Sequence, residues 1–262
     1  MIFSSYSYHI SKSFMVSSKE YQKNMVNKNR MIFSQFSKYP NLKYDFSNRA
    51  DGSMNRHLEK VNRSKYFSLM GIDPNQVITA DLVHGAYVTI VSNKEAGAMI
   101  AQTDGLITQS RNLFLSATAA DCFLLYFYDL SKNVIGIAHV GWRGLLAGIV
   151  ENTIDALLKN FKADPQRILV SISPGIRECH FEISPKDSEK FKEYSQFILD
   201  RDGKIFVNLP GIINFRLLNK HILAEHIEDA AICTHCCEKD YFSYRRDKPK
   251  DVQVQVGYIG LS

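Results

Sequence analysis

At 262 residues, with 45% hydrophobic and 11% aromatic side chains, the chain can bury a sizeable core as one large or two small domains, which excludes a disordered protein. A net charge of +5 and a pI near 8.8 suit an anionic small substrate such as phosphate, and are too weak to argue for nucleic acid. Five cysteines, odd in number and unevenly placed, give no disulfide framework and point to a reducing, cytoplasmic location. No uncharged apolar run reaches the roughly 18–20 residues that a membrane span needs.

Residues 1–30 are rich in Ser, Lys, Asn and Tyr, with Glu20 as the single acid and no apolar signal-peptide core. They read as a poorly ordered extension, leaving one domain over 31–262 without repeat or linker. Segment 32–46 holds an early strand and turn, and Ser47–Gly52 forms a loop that carries Arg49. The pattern predicts a helix over 56–70, stopped by Gly71 with Pro74 beyond. Val77–Val91 is β-like and carries His84-Gly85. Thr103-Asp104-Gly105 is a turn before strand 106–108, with Asp104 placed to orient a neighbouring group. The run 113–128 contains Asp121 and reads as a buried strand.

The chain is organised around Ala117–Ala147. Two apolar runs, Cys122–Tyr128 and Val134–Ala138, flank the polar turn Asp129–Asn133, which predicts strand, tight connection and strand. Asp121-Cys122 opens the first run and His139 follows the second. Gly141-Trp142-Arg143-Gly144 then leads into a helically spaced segment that reaches Phe161. Cys122 and His139 suit zinc, or a Cys–His nucleophile pair. The helix start beside Arg143 suits phosphate. Ordinary packing also accommodates both residues, as a small buried hydrophobe and a hydrogen-bonded histidine. Spacing alone leaves these readings open.

Beyond the central unit, a helix over 150–161, a strand over 168–172, a helix over 187–199 and another within 208–227 are expected. Ser173-Pro174-Gly175 is a turn where backbone can approach a ligand closely. Cys233-Thr234-His235-Cys236-Cys237 contains a CxxC pair, but a structural zinc site needs a second ligand pair. None lies nearby in sequence, so the segment reads as a strand end and loop, and Cys236→Ser or Cys237→Ser should matter far less than Cys122→Ser. Tyr244-Arg245-Arg246 groups an aromatic ring with guanidinium groups, which fits base stacking or phosphate. Residues 252–261 alternate like a C-terminal strand.

Six motifs stand in order: Val83–Gly85, Thr103–Gly105, Ala120–Cys122, Ala138–Gly144, Ser173–Ile183 and Phe242–Asp247. Over roughly 32–247 they resemble the laccase-domain purine nucleoside phosphorylases, a family long described as multicopper polyphenol oxidases. The resemblance implies an α+β single domain, with mixed β-sheets packed against helices in the Cys-hydrolase-like manner of that family. It implies zinc, with copper as an alternative occupant, on His84, Cys122 and His139, which are also the catalytic residues. Arg49, Asp121, Arg143 and Arg245 are implied as substrate-binding residues.

The implied partners are purine nucleosides and phosphate, with neither nucleic acid nor membrane. The implied reaction converts adenosine, inosine, guanosine or 5′-methylthioadenosine and phosphate to free base and pentose 1-phosphate, with adenosine deamination in some relatives. Alternatives are a Cys–His amide hydrolase acting on cell-wall precursors and a non-catalytic, metal-dependent interaction protein. The chain departs from the family pattern at Leu82, usually Gln, and at Cys179-His180, where relatives often have paired cysteines. It also lacks the Gly-Arg that often precedes the last strand. The altered cysteine pair argues against essential chemistry there. With eight histidines and no His-x-His pair, the chain cannot furnish a blue-copper site plus a trinuclear cluster, which disfavours multicopper oxidation.

Overall fold

Strands that are apolar on both faces must be covered on both faces, and this governs the architecture. The computed structural model describes residues 30, 31, 33–55 and 60–262. Its strands in chain order are β1 (Leu42–Phe46), β2 (Val77–Ala80), β3 (Val88–Ile90), β4 (Met99–Ile100), β5 (Gly105–Thr108), β6 (Leu113–Ala119) and β7 (Phe123–Asp129). There follow β8 (Val134–Val140), β9 (Ile168–Ile172), β10 (Glu182–Ile183), β11 (Ile198–Arg201), β12 (Lys204–Val207), β13 (Ile227–Asp229) and β14 (Gln255–Leu261). The helices are α1 (Lys60–Leu69), α2 (Trp142–Ala147), α3 (Ile149–Phe161), α4 (Pro185–Ser188), α5 (Leu209–Asn219) and α6 (Tyr244–Asp247).

One mixed sheet has the order β1-β14-β6-β2-β4 and a second the order β13-β9-β7-β8-β5-β3; β10-β12-β11 form a small third sheet. Period-2 alternation on β7 sends Phe123, Leu125 and Phe127 into a core shared with Ile154 and Leu157 of α3 and Ile212 of α5. Leu124, Tyr126 and Tyr128 enter the core between the two large sheets, with Ile78, Leu115 and Ile259. On the outer side of the first sheet, Tyr66 and Phe67 of α1 pack with Phe114 and Tyr258. The layers therefore run helix, sheet, sheet, helix. This is the expected α+β class with mixed sheets.

Several boundaries differ from the sequence reading. The Val77–Val91 run is two strands in different sheets, because the chain leaves the five-stranded sheet after β2 and enters the six-stranded one at β3. Likewise, the run 113–128 is two strands, β6 and β7, with Ala120-Asp121-Cys122 crossing between the sheets. The helical segment after Gly141 breaks at Gly148, which takes a left-handed φ of 97° between α2 and α3. The helix expected over 187–199 begins earlier, as α4 at Pro185, continues as a 3-10 stretch over Glu189–Phe197 and ends where β11 begins at Ile198. The expected extension lies outside the described residues except at Arg30. That guanidinium bridges Asp45 and Asp51, so the packed fold begins no later than Arg30. Among the described residues no helix is long and apolar enough to cross a membrane.

Candidate active site

Three chain segments meet at one end of the sheet pair: the β2–β3 crossing, the β6–β7 crossing and the end of β8. Each delivers one donor. The ligand atoms of His84, Cys122 and His139 all lie within 4.8 Å of one another. The two imidazoles stand edge to face, their centroids 4.9 Å apart. His139 pairs with Leu124 across β7 and β8, which puts it on the face toward the five-stranded sheet, where it is almost fully buried. Cys122 is half-buried and His84 exposed.

Asp104 holds this corner together. Its Oδ1 accepts the His84 backbone N–H at 2.8 Å and its Oδ2 accepts that of Gly85 at 2.8 Å. The same Oδ1 lies 3.2 Å from His139 Nδ1. A carboxylate only accepts, so it places the imidazole proton on Nδ1 and leaves Nε2 free for a ligand or proton partner. His84 sits at φ 57°, a strained left-handed position for a non-glycine residue, and the carboxylate that captures its N–H holds it there. The placement expected of Asp104, orienting a neighbour, is what the structure has.

Two glycines are required by close approach. A Cβ on Gly141 would lie 2.9 Å from Cys122 Sγ, 3.5 Å from His84 and 3.6 Å from His139, filling the space among the three donors. A Cβ on Gly144 would lie 2.6 Å from the Gly85 carbonyl, so this glycine lets α2 rest directly on the His84-Gly85 backbone. Electrostatics follow from the same contacts. Burial pushes the Cys122 thiol up, but His139 and then His84 outweigh it and bring it down to about 6. Burial likewise opposes charge on His139, yet Cys122 and Asp104 raise it to about 9.

The donors line a cavity of about 490 Å³, within the range of small-molecule sites. Its walls include Leu82, Asp121, Trp142, Arg143, Phe181, Tyr244 and Arg245. Arg143 is exposed and stacks over the Trp142 ring at 4.3 Å. Arg245 reaches the carbonyl oxygen of Glu182 at 2.8 Å, and its backbone N–H donates to Asp121 Oδ2. Asp121, at φ 80°, also accepts from the hydroxyls of Thr234 and Ser243, so its carboxylate joins the walls of the cavity to one another. Arg49 is not among the residues that line this cavity. Its guanidinium pairs with Asp247 at 2.9 Å and lies over the Phe242 ring, which ties it to the segment before β14. The Ser-Pro-Gly turn does allow close approach, but of a core ring: a Cβ on Gly175 would meet Phe123 at 2.5 Å.

Residues 31–261 match the family described as multi-copper polyphenol oxidoreductase laccase. The chain belongs to that family. A purine nucleoside phosphorylase of Campylobacter jejuni is 29% identical over 212 residues, 80% of this chain and 89% of that protein. One from Deinococcus radiodurans is 29% identical over 189 residues, 71% of each chain. A purine nucleoside phosphorylase of Mus musculus is 28% identical over 184 residues, and the match spans only 42% of that longer protein. Among solved structures, a Bacillus licheniformis hypothetical protein, YfiH, superposes with a TM-score of 0.80 at 24% identity, covering 89% of this chain and 96% of that one. YlmD of Geobacillus stearothermophilus gives 0.79 at 21% identity, covering 85% and 93%. These two likenesses establish the fold.

Proposed function

We propose that the chain is a purine nucleoside phosphorylase, which splits adenosine, inosine, guanosine or 5′-methylthioadenosine with phosphate. The observation that carries this reading is the convergence of His84, Cys122 and His139 on one cavity with aromatic rings and guanidinium groups in its walls. The relatives named for that activity support it. Exposed Tyr244 offers a flat surface for a purine, and Leu82, Trp142, Phe181 and Val254 give the cavity an apolar wall. Arg143, at the exposed rim, meets the incoming phosphate. In the reaction a phosphate oxygen bonds to the anomeric carbon as the glycosidic C–N bond breaks. The bonding pair leaves with the purine, which takes up a proton. Positive character on the sugar and negative character on the base are the charges to be stabilised.

Two imidazoles and a thiolate fit zinc, and His84, Cys122 and His139 would hold it beside the space kept clear by Gly141. When bound, zinc supplies Lewis-acid chemistry, which is also what adenosine deamination needs. Asp104 orients His139 toward that position and Cys122 balances part of the charge. A second reading rests on the same geometry: the Cys122 thiol and the His139 imidazole lie within 4.8 Å of each other, and against burial the imidazole lowers the thiol to about 6, which favours the thiolate that a Cys–His hydrolase requires.

Product analysis of adenosine and inosine, with and without phosphate, tests both. Phosphorolysis gives free base and pentose 1-phosphate only when phosphate is present, and Arg143→Ala raises the phosphate concentration needed by about tenfold or more, the loss of one charge-assisted contact. Deamination shows as ammonia from adenosine without phosphate. Absence of free base with every purine nucleoside would sink the phosphorylase reading. Thiolate-dependent amide hydrolysis by metal-stripped protein would install the second.

A further inference from the structure

The CxxC loop has a second ligand pair after all. It comes from a turn more than fifty residues earlier in the chain, the Cys179-His180 pair. We propose that Cys179, His180, Cys233 and Cys236 form a four-coordinate structural zinc site, separate from the His84–Cys122–His139 cluster.

Geometry carries the assignment. The four donor atoms all lie within 4.8 Å of one another. Cys179 Sγ is 3.4 Å from Cys233 Sγ and 3.6 Å from Cys236 Sγ, and His180 Nδ1 is 3.3 Å from the sulfurs of Cys179 and Cys236. Zinc bonds of about 2.3 Å to sulfur and about 2.0–2.1 Å to nitrogen set tetrahedral edges of about 3.8 Å between sulfurs and about 3.5 Å between sulfur and nitrogen. The observed edges are within a few tenths of an ångström of these. They are far from the roughly 2.05 Å of a disulfide. Three thiols and an imidazole close a tetrahedron without an open position, the pattern of structural rather than catalytic zinc.

The surroundings are built for the same end. Backbone N–H groups of Arg177 and Cys236 donate to Cys233 Sγ, as donors commonly do to a ligating thiolate. The His235 ring stacks on His180 at 3.8 Å and 14°, which fixes the plane of the ligating imidazole. A β-bridge between Gly175 and Cys233 brings the two loops side by side. Among the described residues, Cys237, one residue beyond the pair, belongs to no such group.

The clip also reaches the cavity. Between its two cysteines, Thr234 donates its hydroxyl to Asp121, and Arg246 holds the Thr234 and His235 carbonyls. On the other loop, the Glu182 carbonyl accepts from Arg245. Joining the loops through an ion therefore fixes the wall formed by Asp121 and Arg245.

Peptide-resolved alkylation of the full chain, purified under reducing conditions, tests the site without relying on nucleoside chemistry. Cys236 is exposed in the fold and would label at once if no ion held it, yet Cys179, Cys233 and Cys236 should label only after a strong chelator is added, while labelling of Cys237 should not depend on the chelator. In Cys122→Ser protein substituted with cobalt, sulfur-to-metal charge-transfer absorption should persist, since the remaining thiolate ligands lie in this cluster. Adding Cys179→Ser and Cys236→Ser should abolish it and cut the zinc content by about one ion per chain. If that variant fails to fold, the labelling of wild type and the cobalt spectrum of Cys122→Ser decide the matter. Chelator-independent labelling of Cys233 and Cys236, a disulfide among the three cysteines in freshly purified protein, or a Cys122→Ser protein without the charge-transfer band would each overturn the proposal. Loss of phosphorolysis leaves these readouts unmoved, so the two readings fail separately.

Discussion

Asp104→Asn is the sharpest probe of how the fold builds this site. The carboxylate is fully buried and receives two backbone N–H groups on different oxygens, besides facing His139. An amide keeps one oxygen. In its better orientation the oxygen still serves His84 and His139, and the new NH2 group opposes the Gly85 N–H. One buried donor is left unsatisfied, at about 1–3 kcal/mol, and the surviving bonds lose their charge assistance, about 1 kcal/mol more. A sum of about 2–4 kcal/mol corresponds to about 4–16 °C in melting temperature for a domain of this size. The site should suffer beyond the fold, because His84 is left in a left-handed conformation that itself costs about 1–3 kcal/mol. With the Gly85 N–H opposed by the new NH2 group and the His84 bond stripped of its charge assistance, the His84-Gly85 turn shifts away from Cys122 and His139, and zinc affinity and turnover fall by about 10–100-fold. Thermal denaturation, zinc titration and phosphorolysis rates measured on one preparation check this. An Asn variant that melts within about 1 °C of wild type and turns over within about twofold of it would show that the carboxylate does not hold His84.

Gly141→Ala adds a methyl group 2.9 Å from Cys122 Sγ at a backbone conformation (φ −82°, ψ 165°) that alanine adopts freely. The cost is therefore steric crowding of the donors: about 1–3 kcal/mol in stability, but about 10²-fold in kcat/KM if the donors shift by an ångström. Wild-type kinetics in that variant would mean the space among them is unused. In metal-stripped protein the Cys122 thiol, lowered to about 6, and His139, raised to about 9, predict a charged pair between those limits. The stability that Cys122 contributes is lost as pH falls through about 6, and that of His139 as pH rises through about 9. Iodoacetamide should accordingly label Cys122 with a midpoint near pH 6, and a midpoint near the ordinary 9 would refute the pairing.

The elements legible in the sequence were those whose signal is local. Strand β9 was read residue for residue, and β7, β8 and α3 to within a residue or two, because turn residues and periodicity mark their ends. The two long β-runs misled for one reason. A strand covered on both faces shows no alternation, so nothing local tells an apolar strand that continues from one that hands the chain to another sheet. The polar residues inside those runs, Asp81 and His84 in one and Asp121 in the other, were the available sign, since each falls at a crossing. Arg49 was placed in the site by resemblance alone. Its pairing with Asp247 depends on the segment before β14, almost 200 residues away, and no spacing rule reaches that far.

The CTHCC loop shows the same limit acting on chemistry. Judged by spacing, Cys236 and Cys237 were equivalent and dispensable. In three dimensions Cys236 lies within 3.6 Å of Cys179 while Cys237 stands outside the cluster, so only Cys236→Ser is expected to disturb it. In sequence terms the altered pair at Cys179-His180 argues against chemistry there. A histidine can replace a cysteine as a zinc ligand without loss of coordination number, so the exchange preserves a ligand pair rather than removing one. Both metal-capable clusters, moreover, lie where segments distant in sequence are brought together, at sheet crossings in one case and between two loops in the other. Backbone hydrogen bonds of a continuous ladder are absent at such junctions, and side-chain ligands can substitute for them. At the first junction Asp104 takes up the unpaired N–H groups of His84 and Gly85, and at the second the Cys233 sulfur takes up those of Arg177 and Cys236. The residues that complete the fold at these two places are therefore the ones that define the sites.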